Sequence, residues 1–539
     1  MEIISAEQAA ALVHDNDAVL IGGSGGGHAV PEALLAALGS RFEKEKLPRG
    51  LTSVTVTGIG DRATRGAGHL AKEGLISRAI TSSMVDSPGL VKMAAENRIE
   101  AYTFPQGVMS QLMRDMAAGR PGTITKTGLH TFVDPRQLGG RQSKKTPQSF
   151  VEVLELGGEE WLFFKPLPIN VAFLRGTTAD EDGNISMEQE AVYGEMLAMA
   201  QATRRLGGVV IVQVKFLARR GGIPAKQVKI PGIVVDFVVV VPEQRQTYAT
   251  DYDPSYSGEL KIPLHGIKPL PLGPRKVIVR RAAMELYPAA ICNLGAGVST
   301  GLSTVAAEEG FLDAVTLTNE QGIVGGAPIT GPDSGGGQNY AALVDQPVQF
   351  DFYDGGGLDI AFLSFAEVDS DGNVNVSRFG DKIIGVGGFI NISQNARTMV
   401  FNGTLTAGGL EVSYADGTTT ILVEGRHQKF IPKLEQICYN AKLAFDRGQR
   451  ALFITERAVF QNTDSGLELI EIAPGLEPER DVIAHMGFRP RVSKSLKTMD
   501  ARLFAPGPIG LSSEINARPK RYRSERVASW HEARNAAKK

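Results

Sequence analysis

The chain has 539 residues and a formal net charge of −2, with 57 Lys and Arg against 59 Asp and Glu. That balance gives no electrostatic reason to expect nucleic acid or a membrane surface as partner and favours a small-molecule ligand. The length exceeds one ordinary core and predicts two domains, while only two cysteines, Cys292 and Cys438, lie outside any CxxC or Cys/His spacing and exclude a disulfide scaffold or structural zinc.

The first residues, MEIISAEQAAALVHDND, carry scattered charges and no continuous apolar run, so no signal peptide is read and a reducing cytoplasm is expected. Strand-like and helical patterns then alternate: AVLIGG before AVPEALLAALGSRFEKE, TSVTVTG before GAGHLAKEGL, and IEAYTFP before GVMSQLMRDMAAG. Strand, turn and amphipathic helix in repetition predict an α/β architecture with parallel sheet, whose ligands sit off the carboxyl ends of strands. IVVDFVVVVP is too short to span a membrane and reads as a buried strand.

The glycine run GGSGGGHAVPE offers no register of GxGxxG and no Walker lysine. It leaves a backbone able to approach a ligand closely, next to a helix start that favours phosphate. Two stretches begin alike, AFLRGTTADEDGNIS at Ala172 and AFLSFAEVDSDGNVN at Ala361, and a fainter match relates LIGGSGGG from Leu20 to ICNLGAGV from Ile291. These repeats predict two homologous open α/β domains fused in tandem: 1–255, a Pro/Gly-rich linker at 256–275, and 276–515, followed by a basic tail at 516–539 read as a solvated helix or subunit contact. Each DxDGN lacks the Glu that a calcium loop needs six residues after its Gly and is read as a tight turn.

The stretch LTNEQGIVGGAP, from Leu317, sets Glu320 in a glycine bend. Thirteen acidic residues and no Lys or Arg lie between Arg281 and Arg378, so Glu320 has no local cation to pair with. The bland reading is a solvated or capping carboxylate.

Five segments in order, GGSGGGHAVPE, FPQGVMSQLMRDMAAGRPG, NLGAGVSTG, NEQGIVGGAP and GVGGFINIS, resemble the family I coenzyme A transferases in their single-chain, fused form, such as the propionate CoA-transferases. The resemblance implies transfer of CoA between a short-chain acyl-CoA and a free carboxylic acid, with Glu320 as nucleophile and ping-pong kinetics through a glutamyl-CoA thioester. It also implies oxyanion donors in the Gln106 amide and a backbone N–H of Gly387 or Gly388. CoA contacts are expected at Gly25, Gly26, Gly295, Gly297, Gly325 and Gly326, the last two clearing a path for the pantetheine arm. No metal and no cofactor beyond the CoA thioester substrates is implied, and a homodimer or homotetramer is expected. The flanks of Glu320, Asn319 and Gln321, depart from the Ser-Glu-Asn-Gly of many two-subunit members. Alternatives are an acyl-CoA hydrolase on the same scaffold and a non-catalytic acyl-CoA sensor. The cations for the CoA phosphates are sought in KFLARRGGIPAKQVK, which begins at Lys215, or RQLGGRQSKK at 136–145, though either also reads as a solvated face.

Overall fold

The computed structural model describes residues 1–263, 269–415, 417–519 and 521–536, without the side chains of 521–526. Eight strands form the first sheet: β1 (Glu2–Ile3), β2 (Ala18–Ile21), β3 (Leu51–Thr55), β4 (Ile76–Thr81), β5 (Glu100–Thr103), β6 (Val171–Arg175), β7 (Val209–Val214) and β8 (Phe237–Val240). Their order is β1-β8-β7-β6-β2-β3-β4-β5, and every pairing is parallel. Crossover helices cover such a sheet, so its central strands are apolar on both faces, as in the wholly buried AVLI and VAFLR of β2 and β6.

The second sheet has ten strands: β9 (Ile291–Leu294), β10 (Thr316–Asn319), β11 (Ile323–Val324), β12 (Ala342–Leu343), β13 (Ile360–Ser364), β14 (Thr398–Asn402), β15 (Arg450–Ile454), β16 (Ala458–Thr463), β17 (Gly466–Ile472) and β18 (Arg491–Thr498). Its order is β12-β11-β10-β9-β13-β14-β15-β16-β17-β18, with a parallel centre from β10 to β15.

The internal repeat is visible in the register. Ala172 faces Val210 and Leu20 across β6, and Ala361 faces Met399 and Asn293 across β13. Asn293 is therefore the counterpart of Leu20, which slides the fainter sequence match by two residues. The two DxDGN turns fold alike. Asp180 accepts from the Asp182 N–H (3.0 Å) and from the Asn184 N–H and side-chain amide (both 3.0 Å). Asp369 accepts from Asp371 N–H (3.1 Å), Asn373 N–H (2.9 Å) and the Asn373 amide (3.0 Å). The Asp saturates its own turn, as the sequence reading expected.

Three sequence expectations change. GAGHLAKEGL yields one short 3₁₀ turn, Gly66–Leu70, entered through Gly66 at φ +60. In IVVDFVVVVP only Phe237–Val240 is strand, and Ile233 is 84% exposed. Part of the expected linker, 264–268, lies outside the described residues, and a helix already begins at Pro274. The described residues before it are docked rather than slack: Thr247 and Thr250 donate to Asp333 (2.5 and 2.8 Å), and Ser255 accepts from the Gln338 amide (2.8 Å).

Helices α1 (Glu32–Glu45), α2 (Gln106–Ala117), α3 (Gly301–Glu309), α4 (Gln346–Asp354) and α5 (Phe389–Asn395) follow strands or bends, and α2, α4 and α5 carry the contact between the two sheets' units. One apolar cluster runs from Phe104, Val108 and Leu112 into Phe350, Tyr353 and Ile390. Beside it the chains meet as backbone: Val386 and Gly387 N–H both donate to Ser82 O (2.8 and 2.9 Å), and Met84 N–H donates to Ile384 O (2.8 Å). Gly385 makes the approach possible, because its φ is +89 and a Cβ there would lie 2.5 Å from Ser82 O. Gly385→Ala is therefore expected to cost roughly 1–3 kcal/mol of stability in a urea titration; an unchanged midpoint would show that this seam yields without strain.

Candidate active site

Glu320 follows β10 directly, at the carboxyl edge of the second sheet, and is partly buried. Burial raises its pKa above the ordinary value of 4.5, offset in part by its own backbone N–H and by the Asn293 side chain. Among the described residues no cation forms an ion pair with it, as the sequence reading of an unpaired carboxylate requires. Asn293 lies at the carboxyl end of the neighbouring strand β9 and also donates to the Tyr353 hydroxyl (3.3 Å). That hydroxyl donates to Thr318 (2.8 Å) and accepts from the Gln349 amide (3.0 Å), so the floor beneath the carboxylate is rigid.

The bend GVGG stands between Glu320 and Gln106. A Cβ on Gly388 would lie 3.5 Å from Glu320 Cγ, and one on Gly387 would lie 3.5 Å from Gln106 Oε1. Gln106, first residue of α2 and 2% exposed, donates its backbone N–H to Gly387 O at 2.9 Å. The structure separates the two glycines. Gly387 N–H is committed to Ser82 O, whereas no hydrogen bond among the described residues uses Gly388 N–H.

The six glycines expected to touch CoA have other neighbours. Gly25 and Gly26 pack against residues 332–334, with the Cβ space of Gly26 filled by Pro332 O at 2.4 Å. His28 follows them, fully buried, with Nε2 on Asp333 O and Ser334 O (3.1 and 3.3 Å), and the same loop ties back to the Asn319 amide through Gly335 O (2.8 Å). Gly295 packs on Leu363, and Gly297 turns at φ +90 against Ser364. Gly325 and Gly326 lie against the chain's own backbone. A Cβ on Gly326 would meet Gln338 O at 2.1 Å, one on Gly325 would meet Ala341 N at 3.3 Å, and one on the preceding Gly322 would meet Val344 O at 1.9 Å. The space these glycines leave is taken by the chain's own returning backbone, residues 338–341 and 344 on either side of β12.

Residues the sequence did not single out support Gln106. Its Nε2 donates to Gln346 Oε1 (3.3 Å), and the Gln346 amide donates to Glu195 (2.8 Å), which also accepts from the Ser110 hydroxyl (3.0 Å). Glu195 is 3% exposed, and burial lifts its pKa to about 7. Below Gln106, Asn391 accepts from Gly107 N–H (3.1 Å) and donates to Asp354, whose burial raises its pKa to about 6. Only their pairing across long sequence separations identifies these groups. Three cations of the stretches read for phosphate have protein partners: Arg136 pairs with Asp134 and Glu160 (both 2.8 Å), Arg220 with Asp182 (2.9 Å), and Lys229 lies on the Tyr193 ring (3.5 Å to its centroid) beside Asp345 (3.8 Å).

A sequence profile of the family Coenzyme A transferase matches residues 3–241. Acetate CoA-transferase YdiF of Escherichia coli O157:H7 is 42% identical over 509 residues, 94% of this chain and 96% of that protein. The chain belongs to the coenzyme A transferase family. Caffeate CoA-transferase of Acetobacterium woodii is 41% identical over 520 residues, 95% of this chain and 99% of that one. The crystal structure of the YdiF apoenzyme superposes with a TM-score of 0.91 at 42% identity, covering 94% of this chain and 97% of that one. The YdiF thioester complex with CoA gives 0.90 at 41% identity over the same shares. The α/β fold and the family expectation are both met.

Glu195 sets a pH signature. It holds its proton in the folded protein to about pH 7 but releases it near 4.5 when unfolded, so stability falls as pH rises from 4.5 to 7 and levels off above. Glu195→Gln is expected to remove on the order of 3 kcal/mol of that fall in urea titrations across the window. Parallel curves for both proteins would place the Glu195 proton elsewhere.

Proposed function

We propose that the chain moves CoA between a short-chain acyl-CoA and a free carboxylic acid, with Glu320 as the nucleophile. The observation that carries this reading is one arrangement: a partly buried carboxylate without a paired cation among the described residues, packed against Gly388, whose N–H takes no hydrogen bond among them, with Gln106 across the same bend.

The Glu320 carboxylate attacks the thioester carbonyl. A C–O bond forms, the C–S bond breaks, and CoA leaves as thiolate from a mixed anhydride. The thiolate then attacks the glutamyl carbonyl, the acyl group departs as a carboxylate, and a glutamyl-CoA thioester remains. An incoming acid runs the sequence in reverse, which gives ping-pong kinetics and no net proton transfer. Each attack builds charge on a carbonyl oxygen, and Gly388 N–H and the second N–H of the Gln106 amide are the donors for it. Neutral donors suit this nucleophile because a cation would stabilise its ground-state charge and blunt the attack. The chemistry needs no metal and no cofactor besides the CoA thioesters.

The relatives' names support CoA transfer, one to acetate and one to caffeate, at nearly the same identity. Likeness at that level does not select the acid, and the short-chain assignment rests on the motif resemblance. A cytoplasmic homo-oligomer belongs to the same reading.

Brief incubation with acetyl-CoA, followed by chymotryptic digestion and mass spectrometry, is expected to show a CoA adduct on the peptide carrying Glu320. The adduct should disappear on adding acetate or propionate and be absent in Glu320→Ala. Gln106→Ala is expected to keep the adduct but lower kcat by roughly 10²–10³. Steady CoA release with no adduct would favour a hydrolase instead.

A further inference from the structure

We propose that Glu195 and Gln346 are positioning residues that set the polarity of the Gln106 amide, so that it offers the transfer a spare N–H rather than a carbonyl oxygen. This deepens the CoA-transfer reading and rests on it.

A primary amide has an acceptor end and a donor end of nearly the same shape, so packing alone does not choose between them. Gln106 therefore needs a neighbour of definite sign. Gln346 is itself an amide and has none: its Oε1 accepts from Gln106 Nε2 (3.3 Å), yet reversing both side chains together would leave that hydrogen bond equally good. Glu195 breaks the tie. Its Oε2 accepts from the Gln346 amide (2.8 Å) and from the Ser110 hydroxyl (3.0 Å). An oxygen that takes two donors carries no proton of its own, so Gln346 meets it nitrogen first and turns its oxygen to Gln106. Gln106 answers with nitrogen. One N–H of its amide is used there, and the second has no acceptor among the described residues.

The setting makes reversal costly. Gln106, Ser110, Glu195 and Gln346 are each at most 3% exposed, so a reversed amide would bring two like ends together away from water. The backbone keeps the spacing: Gln346 N–H donates to Gly194 O (2.9 Å), which ties the first residue of α4 to this bend a second time. Gln346 comes from the second unit and is gripped between Gln106 and Glu195 of the first, so the relay closes only where the units dock. Among the described residues no Lys or Arg pairs with Glu195. Burial lifts its pKa to about 7 against the Ser110 hydrogen bond and its own backbone N–H, and the charge of Asp345 adds to the rise. A proton on the other oxygen leaves Oε2 an acceptor, and the relay then brings no net charge toward an oxyanion at Gln106.

The same bonds would also satisfy buried polar groups without serving the reaction, and a double-mutant cycle on transfer from acetyl-CoA to propionate separates the two roles. Gln346→Leu and Glu195→Leu are each expected to lower kcat about tenfold to hundredfold with the KM for acetyl-CoA unchanged, because they loosen a donor used in the transition state. Glu195→Gln, which keeps an oxygen for Gln346 and Ser110, should recover most of that loss. In a Gln106→Ala background, Gln346→Leu should add no further loss. Losses that multiply in the double variant, a raised KM at unchanged kcat, or no recovery in Glu195→Gln overturn the assignment. Either leucine variant alone carries the cycle if the other does not fold. Crystal structures of wild type and the leucine variants give a reading independent of turnover: Gln106 spread over several rotamers in the variants supports the relay, and a single unchanged rotamer overturns it. If wild type transfers no CoA, the transferase reading fails by itself and the rotamers decide for the relay.

Discussion

The site depends on the backbone seam between the two sheets' units. Ser82 O takes the N–H groups of Val386 and Gly387, Met84 takes Ile384 O, and Gly387 O takes Gln106 N–H, all at 2.8–2.9 Å. Main-chain pairing sets position to within the tolerance of a hydrogen bond, more tightly than side-chain packing alone. Gly387 N–H is used up at the seam, whereas Gly388, packed against Glu320, has an N–H that takes no hydrogen bond among the described residues. The apolar cluster through Phe104, Phe350 and Ile390 then keeps both units on one side of that line.

Against this scaffold the electrostatics are unusual. Glu195 is buried and Glu320 and Asp354 partly so, and burial pushes the pKa of each carboxylate upward. Cations would relieve this at once, yet the partners of Glu195 and Asp354 include amides and a hydroxyl. Three helix starts, Gln106 of α2, Gln346 of α4 and Phe389 of α5, gather in the same region and present partial positive charge without a mobile side chain.

The parts legible in the sequence were those carried by local spacing. β3 and α2 follow from short apolar patterns, the repeat at Ala172 and Ala361 predicted the matched central strands, and Glu320 stood out through the glycines around it. What failed was anything that needed a partner distant in sequence. Gln346 meets Gln106 across 240 residues and Glu195 across 151, and neither residue carries a local mark. The glycines illustrate the same limit. Gly326 at φ +69 and Gly388 with its unused N–H are one letter, and only their neighbours show that the first lies against the backbone of 338–340 and the second against Glu320.

The division of labour between the sheets follows from where each group is anchored. Glu320, Asn293 and Tyr353 all belong to the second sheet's unit. The first unit contributes the Gln106 amide and the seam. In the proposed transfer, a loss of precision at the seam would fall on the Gln106 side of the site, where a small displacement costs most.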